Sequence, residues 1–288
     1  MKLAIASGKG GTGKTTLATN LAAYLAEEQP IVLCDLDVEE PNSGLFVTGE
    51  WLHHEITNKA IPEWNRDACT HCGDCQAVCN FNAILSMPSS VMVFPELCHG
   101  CYACAELCPA QALAMKPKPM GELSHFRTGD LELIESRLMV GEEQAVPLIR
   151  HTLRYLAQRV PDGVQTILDC PPGTSCPVIE SVKDADLVVL VTEPTPFGLH
   201  DLTLAVETVR HLGKQFAVVL NRDGIGDSGV LRYCEREGID VIARIPNRRE
   251  IAERYAAGRL LYREIPEVRR ALDHVVDYLR SRTAGGQR

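Results

Sequence analysis

Two groups of side chains in this 288-residue chain are spaced for chemistry. Eight of its twelve cysteines crowd into two matching runs, Cys69, Cys72, Cys75, Cys79 and Cys98, Cys101, Cys104, Cys108. Each run reads C-x2-C-x2-C-x3-C, and the second lies 29 residues after the first. Disulfide frameworks do not cluster in this way, so the crowding points to metal held by thiolates. Zinc sites usually draw paired C-x2-C knuckles, two per ion, whereas evenly crowded cysteines can loop around a corner of an iron–sulfur cube. The second group is Gly8-Lys9-Gly10-Gly11-Thr12-Gly13-Lys14-Thr15, followed by Thr16, which fits G-x-x-x-x-G-K-[ST]. Its glycines let backbone N–H groups turn toward phosphate oxygens, and a following helix adds positive partial charge. In such a loop Lys14 meets the β- and γ-phosphates and the Thr15 hydroxyl meets Mg²⁺, which makes ATP with Mg²⁺ the expected ligand.

The elements that must position these residues follow from hydrophobic patterning. Lys2 to Ser7 is a short apolar run that stops at the glycines, and Leu17, Leu21 and Leu25 then recur at four-residue spacing. Further strands are predicted at Ile31 to Asp35, Thr166 to Asp169, Leu187 to Thr192, Phe216 to Asn221 and Val241 to Ile245. Helices are predicted at Leu148 to Leu156, Leu199 to Leu212, Gly229 to Glu237 and Arg249 to Ala257. The alternation predicts an α/β fold, a mostly parallel, doubly wound sheet whose strands are apolar because both faces are covered. Between Pro62 and Pro119 that patterning stops and the cysteines crowd in, so residues 62–118 read as an inserted domain interrupting an ATPase domain of residues 1–61 and 119–288. Gly121 to Glu143 has short leucine-rich runs and receives no assignment.

Acidic residues stand at the carboxyl ends of two strands, where an open α/β sheet gathers its ligand chemistry. They are Asp35 with Asp37, and Asp169 ahead of Cys170-Pro171-Pro172-Gly173-Thr174. Here the residues reach a known group. The segment KGGTGKTT, Lys9 to Thr16, resembles the deviant phosphate loop of the MinD, ParA, Mrp and nitrogenase iron-protein ATPases. The resemblance implies that Lys9 crosses a dimer interface to the partner's nucleotide, with a partner that is either an identical chain or a paralogue. It implies that Asp37 orients the attacking water near Mg²⁺. The segment from Asp169 is similar to the D-x-P-P-G-T switch of Mrp-type ATPases, in which the acid holds a magnesium-bound water. Asn221 would meet the adenine edge and Pro246 the base, although an Asn at a strand end is also a turn former. Asp35 has either a magnesium role or a local one, accepting from backbone N–H groups.

The cysteine runs resemble those of bacterial ferredoxins, in which the fourth cysteine of each run ligates the other cluster. That implies one [4Fe–4S] cluster on Cys69, Cys72, Cys75 and Cys108, and a second on Cys98, Cys101, Cys104 and Cys79. Pro109 follows the last cysteine as the pattern prefers, whereas Asn80 takes that place in the first run. Cys34 and Cys234 read as ordinary buried thiols. Cys176, seven residues after Asp169, matches the spacing of one ligand of the subunit-bridging cluster in the nitrogenase iron protein. A third cluster through Cys176 or Cys170 lacks a counterpart for the other ligand segment, so a core or loop thiol is the alternative. Nearly the whole chain resembles MinD-superfamily ATPases that contain an inserted ferredoxin domain.

Three functions compete: an ATPase coupling its nucleotide state to electron transfer, an ATP-gated carrier in metallocofactor maturation, and a spatial organiser of the MinD or ParA kind. A formal charge of −9 argues against nucleic acid and acidic membranes and for a redox or maturation partner with a basic surface. The final helix carries Val268, Leu272, Val275, Val276 and Leu279 on one face but also Asp273 and Asp277, which suits packing better than membrane binding. No stretch of about eighteen apolar residues and no signal-peptide core is present, so a cytoplasmic protein without a stable membrane anchor is expected.

Overall fold

The apolar runs do become parallel strands. In the computed structural model, which describes residues 1–161 and 163–285, the parallel part of the sheet starts with β1 (Lys2–Ala6), α1 (Lys14–Leu25) and β2 (Ile31–Asp35), then resumes after the cysteines. Between them β3 (Glu50–Trp64) leads into the cysteine unit, which holds α2 (Asp74–Ala77), β4 (Ile84–Met87), β5 (Ser90–Val93) and α3 (Ala103–Glu106). The chain returns through β6 (Leu113–Thr128), β7 (Leu131–Leu138), α4 (Ala145–Arg159), β8 (Gln165–Asp169) and α5 (Cys176–Val182). It ends with β9 (Leu187–Thr192), α6 (Pro196–His211), β10 (Phe216–Asp223), α7 (Gly229–Arg236), β11 (Val241–Pro246), α8 (Arg249–Ala256) and α9 (Pro266–Gly285).

The main sheet has the order β11-β10-β9-β1-β8-β2-β7-β6-β3. Strands β11 to β7 in that order are mutually parallel, and β6 and β3 are added antiparallel. The central strands β1, β8, β2 and β9 are largely apolar because they face two cores, whereas β7 alternates with Glu132, Glu135 and Arg137 near the sheet's edge. Leu3, Ile5 and Ile167 point toward Leu17 and Leu21 of α1 and Leu272 of α9, while Ala4, Cys34 and Leu168 point toward Leu148 of α4 and Val206 of α6. Among the described residues no helix is long and apolar enough to cross a membrane.

Gly121 to Glu143 resolves into the end of β6 and the whole of β7. These strands form a long hairpin with β3, which the sequence did not announce. Strand β3 is an edge strand, polar on much of its length and interrupted by Pro62, so neither alternation nor a buried run marks it. Gly121 of β6 pairs with Leu138 at the carboxyl end of β7 and Met120 C=O accepts from the Met139 N–H, so Leu113–Pro119 pair with β3 alone. At roughly 3.3 Å per residue this ribbon extends about 25 Å past the sheet, from the same edge that carries Asp35 and Asp169. It runs through Pro62 and Pro119 to its last pair, Trp64 with Leu113, and Asn65 N–H then donates to Ala112 C=O at 2.8 Å.

The cysteine unit repeats its backbone as well as its sequence. Left-handed residues occur at His71, Gly73 and Asn82, and again 29 positions later at Gly100, Tyr102 and Gln111. The short helices α2 and α3 obey the same offset. Its apolar core is small: Ile84, Val91, Cys104 and Leu113 are buried, with Trp64, Val78 and Val93 packed around them.

One buried ion pair locks the ribbon to the loop after β7. Lys59 Nζ lies 2.7 Å from Glu142 Oε2, with both side chains 6% exposed, in a charge contact rather than an aligned hydrogen bond. Lys59→Ala, which strands Glu142, is expected to lower unfolding stability by about 3–5 kcal/mol, while Lys59→Met with Glu142→Leu recovers most of it. Denaturant titration of the three proteins checks this, and equal losses in the single and double variants would refute it.

Candidate functional site

The loop Gly8–Thr15 lies between β1 and α1, and its glycines are needed for distinct reasons. A Cβ on Gly8 would stand 2.1 Å from the Asp201 carbonyl oxygen, so α6 can pass only over a glycine. Gly13 caps α1 in the left-handed region at φ 95°, a conformation that costs most other residues. Asn221, at the end of β10, donates from Nδ2 to Thr12 C=O at 2.7 Å, and its Oδ1 accepts from the Arg222 N–H. In this structure Asn221 therefore braces the loop from beneath. Pro246 ends β11, beside β10.

Beside the loop, Asp35 and Asp169 occupy paired positions on β2 and β8, both fully buried. The two are treated differently by their surroundings. Asp35 accepts from the backbone N–H groups of Asp37 at 3.0 Å, Asn42 at 3.1 Å and Ser43 at 3.0 Å, the local bracing foreseen as its alternative role. Asp169 has no aligned hydrogen bond on either oxygen. Burial and the charge of Asp35 push its carboxyl well above the ordinary range, and the nearby Thr15 hydroxyl and Lys14 offset this only in part. Asp37 is half-buried and pushed up to about 6, by burial first and then by Asp35, against the opposing pull of Lys14. An orphaned buried carboxylate beside a threonine hydroxyl and a second acid is a donor set that fits Mg²⁺.

Lys9 does not point away from its own chain. Its Nζ is 2.6 Å from Glu193 Oε1, and Arg222 Nη1 is 3.0 Å from Glu193 Oε2. Burial raises the Glu193 pKa, but the Lys9 hydrogen bond and the charges of Lys9 and Arg222 hold it below its ordinary value. Glu193 and Arg222 were not singled out in the sequence. The available signal was an acid at the carboxyl end of an apolar strand, the same one that marked Asp35 and Asp169.

The cysteines gather in crossed sets. Cys69, Cys72, Cys75 and Cys108 line one cavity, closed by Trp64 and Leu113. Burial raises the Cys75 pKa, as do Cys72, Cys108 and Cys69. Burial likewise pushes Cys104 up to about 11, with Cys98, Cys101 and Cys79 as its thiol neighbours. Backbone N–H groups donate to sulfur in matching places: His71 to Cys69, Gly100 to Cys98, Ala83 to Cys79 and Ala112 to Cys108, at 3.3–3.5 Å. Two four-thiol sets with inward N–H donors fit iron–sulfur cubes. Elsewhere, Cys170 is fully buried and Cys176 is exposed at the start of α5; Cys34 and Cys234 are buried.

Comparison with known proteins follows this geometry. The CobQ/CobB/MinD/ParA nucleotide binding domain matches residues 3–261. The chain belongs to this family. An uncharacterized protein of Methanocaldococcus jannaschii is 35% identical over 228 residues, 79% of this chain and 80% of that one. The iron-sulfur cluster carrier protein of Pyrococcus horikoshii is 25% identical over 270 residues, 85% of this chain and 73% of its own length. The septum site-determining protein MinD of Pyrococcus horikoshii, solved with Mg-ADP, shares the fold with a TM-score of 0.58 at 17% identity, covering 96% of this chain and 95% of that one.

This arrangement carries an energetic cost at Asp169. A carboxylate whose pKa is raised on folding binds its proton more tightly when folded, so ionisation at neutral pH destabilises the protein and acid relieves it. Asp169→Asn is expected to stabilise the nucleotide-free protein at pH 7 by about 1–3 kcal/mol, with the gain shrinking as pH falls. Mg-ADP should raise the melting temperature of the unmodified protein by more than that of the variant. Melting curves across pH, with and without Mg-ADP, test both statements, and a destabilised Asp169→Asn would refute the first.

Proposed function

We propose that this protein is an ATP-hydrolysing iron–sulfur protein in which a nucleotide-dependent dimer couples ATP state to electron transfer or partner binding. The observation that carries the reading is the crossed pair of four-cysteine sets on a ribbon leaving the sheet at its nucleotide edge. On this reading residues 1–61 and 119–288 form the ATPase domain and residues 62–118 the ferredoxin-type domain. Cys69, Cys72, Cys75 and Cys108 hold one [4Fe–4S] cluster, and Cys98, Cys101, Cys104 and Cys79 the other. When bound, the clusters supply one-electron storage between a one-electron protein donor and a protein acceptor.

The phosphate chain is held by the backbone N–H groups of Gly8 to Thr16 and by Lys14. Thr15, Asp37 and Asp169 would hold Mg²⁺, which supplies positive charge against the phosphates. Asp37 orients a water toward the γ-phosphorus. The bond from that phosphorus to the β–γ bridging oxygen breaks, and ADP and phosphate leave with one proton released. Lys9, freed from Glu193, neutralises charge on the partner subunit's nucleotide. Glu193 holds Lys9 in the open form, so closure exchanges one partner of the lysine for another. The dimer consists of two identical chains or pairs this chain with a paralogue. Asn221 and Pro246 border the base side of the site.

A second reading draws on the relative named iron-sulfur cluster carrier protein, and makes the chain an ATP-gated carrier. The two differ in a measurable way, because a carrier gives its iron to an apo-acceptor faster with ATP, whereas a redox protein keeps it.

Anaerobic purification with iron and sulfide counting is expected to give about eight of each per chain, retained after ATP turnover. Loss of iron to an acceptor with ATP would favour the carrier, and fewer than four irons would defeat both. Lys14→Ala and Asp37→Asn should each lower ATP hydrolysis at least ~100-fold, with Asp37→Asn still binding nucleotide. Hydrolysis left within about 10-fold of the unmodified rate by Asp37→Asn would remove Asp37 from the role.

The small apolar core of the cysteine unit leads to a further expectation. Oxidative removal of iron should accelerate hydrogen exchange across Asn65–Ala112 while Lys2–Asp35 stays protected. Unchanged exchange in the unit would mean that it stands without metal.

A further inference from the structure

Gln144 stands where the parallel sheet meets the cysteine unit, at the residue before α4. Its Nε2 donates to the Cys98 carbonyl oxygen at 2.9 Å. Gln144 is itself held, because its N–H donates to Glu142 Oε1 at 3.2 Å while the other oxygen of Glu142 pairs with Lys59 on the ribbon. Two residues beyond Cys98, Gly100 presses on β3 so closely that a Cβ there would stand 2.9 Å from the Ala60 carbonyl oxygen, and its N–H donates to Cys98 Sγ. The loop that begins the second cysteine set is thus fixed on two sides by the ATPase part. The equivalent loop of the first set is not, since His71 is exposed and its contact is with Trp64 at the ribbon's tip.

The other end of this junction reaches the nucleotide edge. Helix α4 packs on α5 through Leu148, Ile149, Val178 and Val182, and Arg150 pairs with Glu180 at 3.1 Å. Helix α5 follows the segment Asp169 to Gly173, and the Gly173 N–H donates to the Ser7 carbonyl at the start of the phosphate loop. Packed helices thus connect that segment to Gln144, and Gln144 connects them to the Cys98 loop. The N–H groups aimed at sulfur are among the levers that set a cluster's potential.

We infer that Gln144 is a positioning residue that ties the Cys98 loop to the nucleotide-responsive helices, so that nucleotide state tunes the second cysteine set and leaves the first unchanged. The inference rests on the coupled redox reading above. It is tested on the full chain, reconstituted anaerobically and confirmed by iron content, with Gln144→Glu and Gln144→Ala beside the unmodified protein. Glu keeps the size of the side chain but replaces the donor with an acceptor that repels the Cys98 carbonyl. Redox titration followed by electron paramagnetic resonance, with and without Mg²⁺ and a non-hydrolysable ATP analogue, should show two one-electron steps. In the unmodified protein the analogue displaces one step. In both variants that displacement is lost, the other step and the ATP hydrolysis rate are unchanged, and exchange of the Cys98 to Cys101 amides quickens while that of Cys69 to Cys72 does not. A displacement that survives in Gln144→Glu, or two steps that move together, overturns the inference alone. Steps that ignore the analogue in the unmodified protein overturn the coupled reading and the inference with it.

Discussion

Two carboxylates on adjacent strand ends, both removed from water, set the terms for the rest of this molecule. Asp35 and Asp169 sit side by side on β2 and β8, and their charges repel across a region where little solvent screens them. The fold resolves one of them internally. Asp35 spreads its charge over three backbone N–H groups and so fixes the loop that carries Asp37. Asp169 has no such donors, so the uncompensated cost of the site is concentrated on the strand end that leads into Cys170 to Gly173. A cation bound there would lower that cost, and only a ligand with unequal affinity for two states can shift them.

The cysteine unit poses the opposite problem. It has few apolar side chains to bury, and several of its core neighbours are themselves cysteines. A segment of that kind cannot offset its conformational entropy by hydrophobic burial and depends on cross-links. Its repeat is informative here, because left-handed residues recur at the same offset with different side chains: His71 against Gly100, Gly73 against Tyr102, Asn82 against Gln111. Backbone conformation is what the two halves share, and in both it aims N–H groups at sulfur.

Much of this was legible in the sequence because it is local. The phosphate loop, the acids at strand ends, the parallel strands and the two cysteine runs all follow from short spacings, whereas the crossing of the runs came from the resemblance to ferredoxins. What escaped depends on distant pairing. Strand β3 has no apolar rhythm, since its partner β6 lies some fifty residues away in sequence and one of its edges is free. Glu193 acquires meaning only when Lys9 and Arg222, from two other strand ends, converge on it. Gln144 is an unremarked polar residue until the Cys98 loop is set beside it. Asn221 is at a strand end that the apolar pattern marked, while its bond to Thr12 could not be read from spacing.

The ribbon also bears on how such a protein is made. Trp64 and Leu113 are already paired before the chain enters and after it leaves the cysteine unit, so the two ends of that unit are pinned together by the sheet. The sheet's own cores draw almost nothing from the unit, whose buried residues form a separate cluster. The nucleotide-binding half can therefore be completed while the cysteine unit is still a tethered, unfinished loop, and a fault in that loop would delay one part without destroying the other.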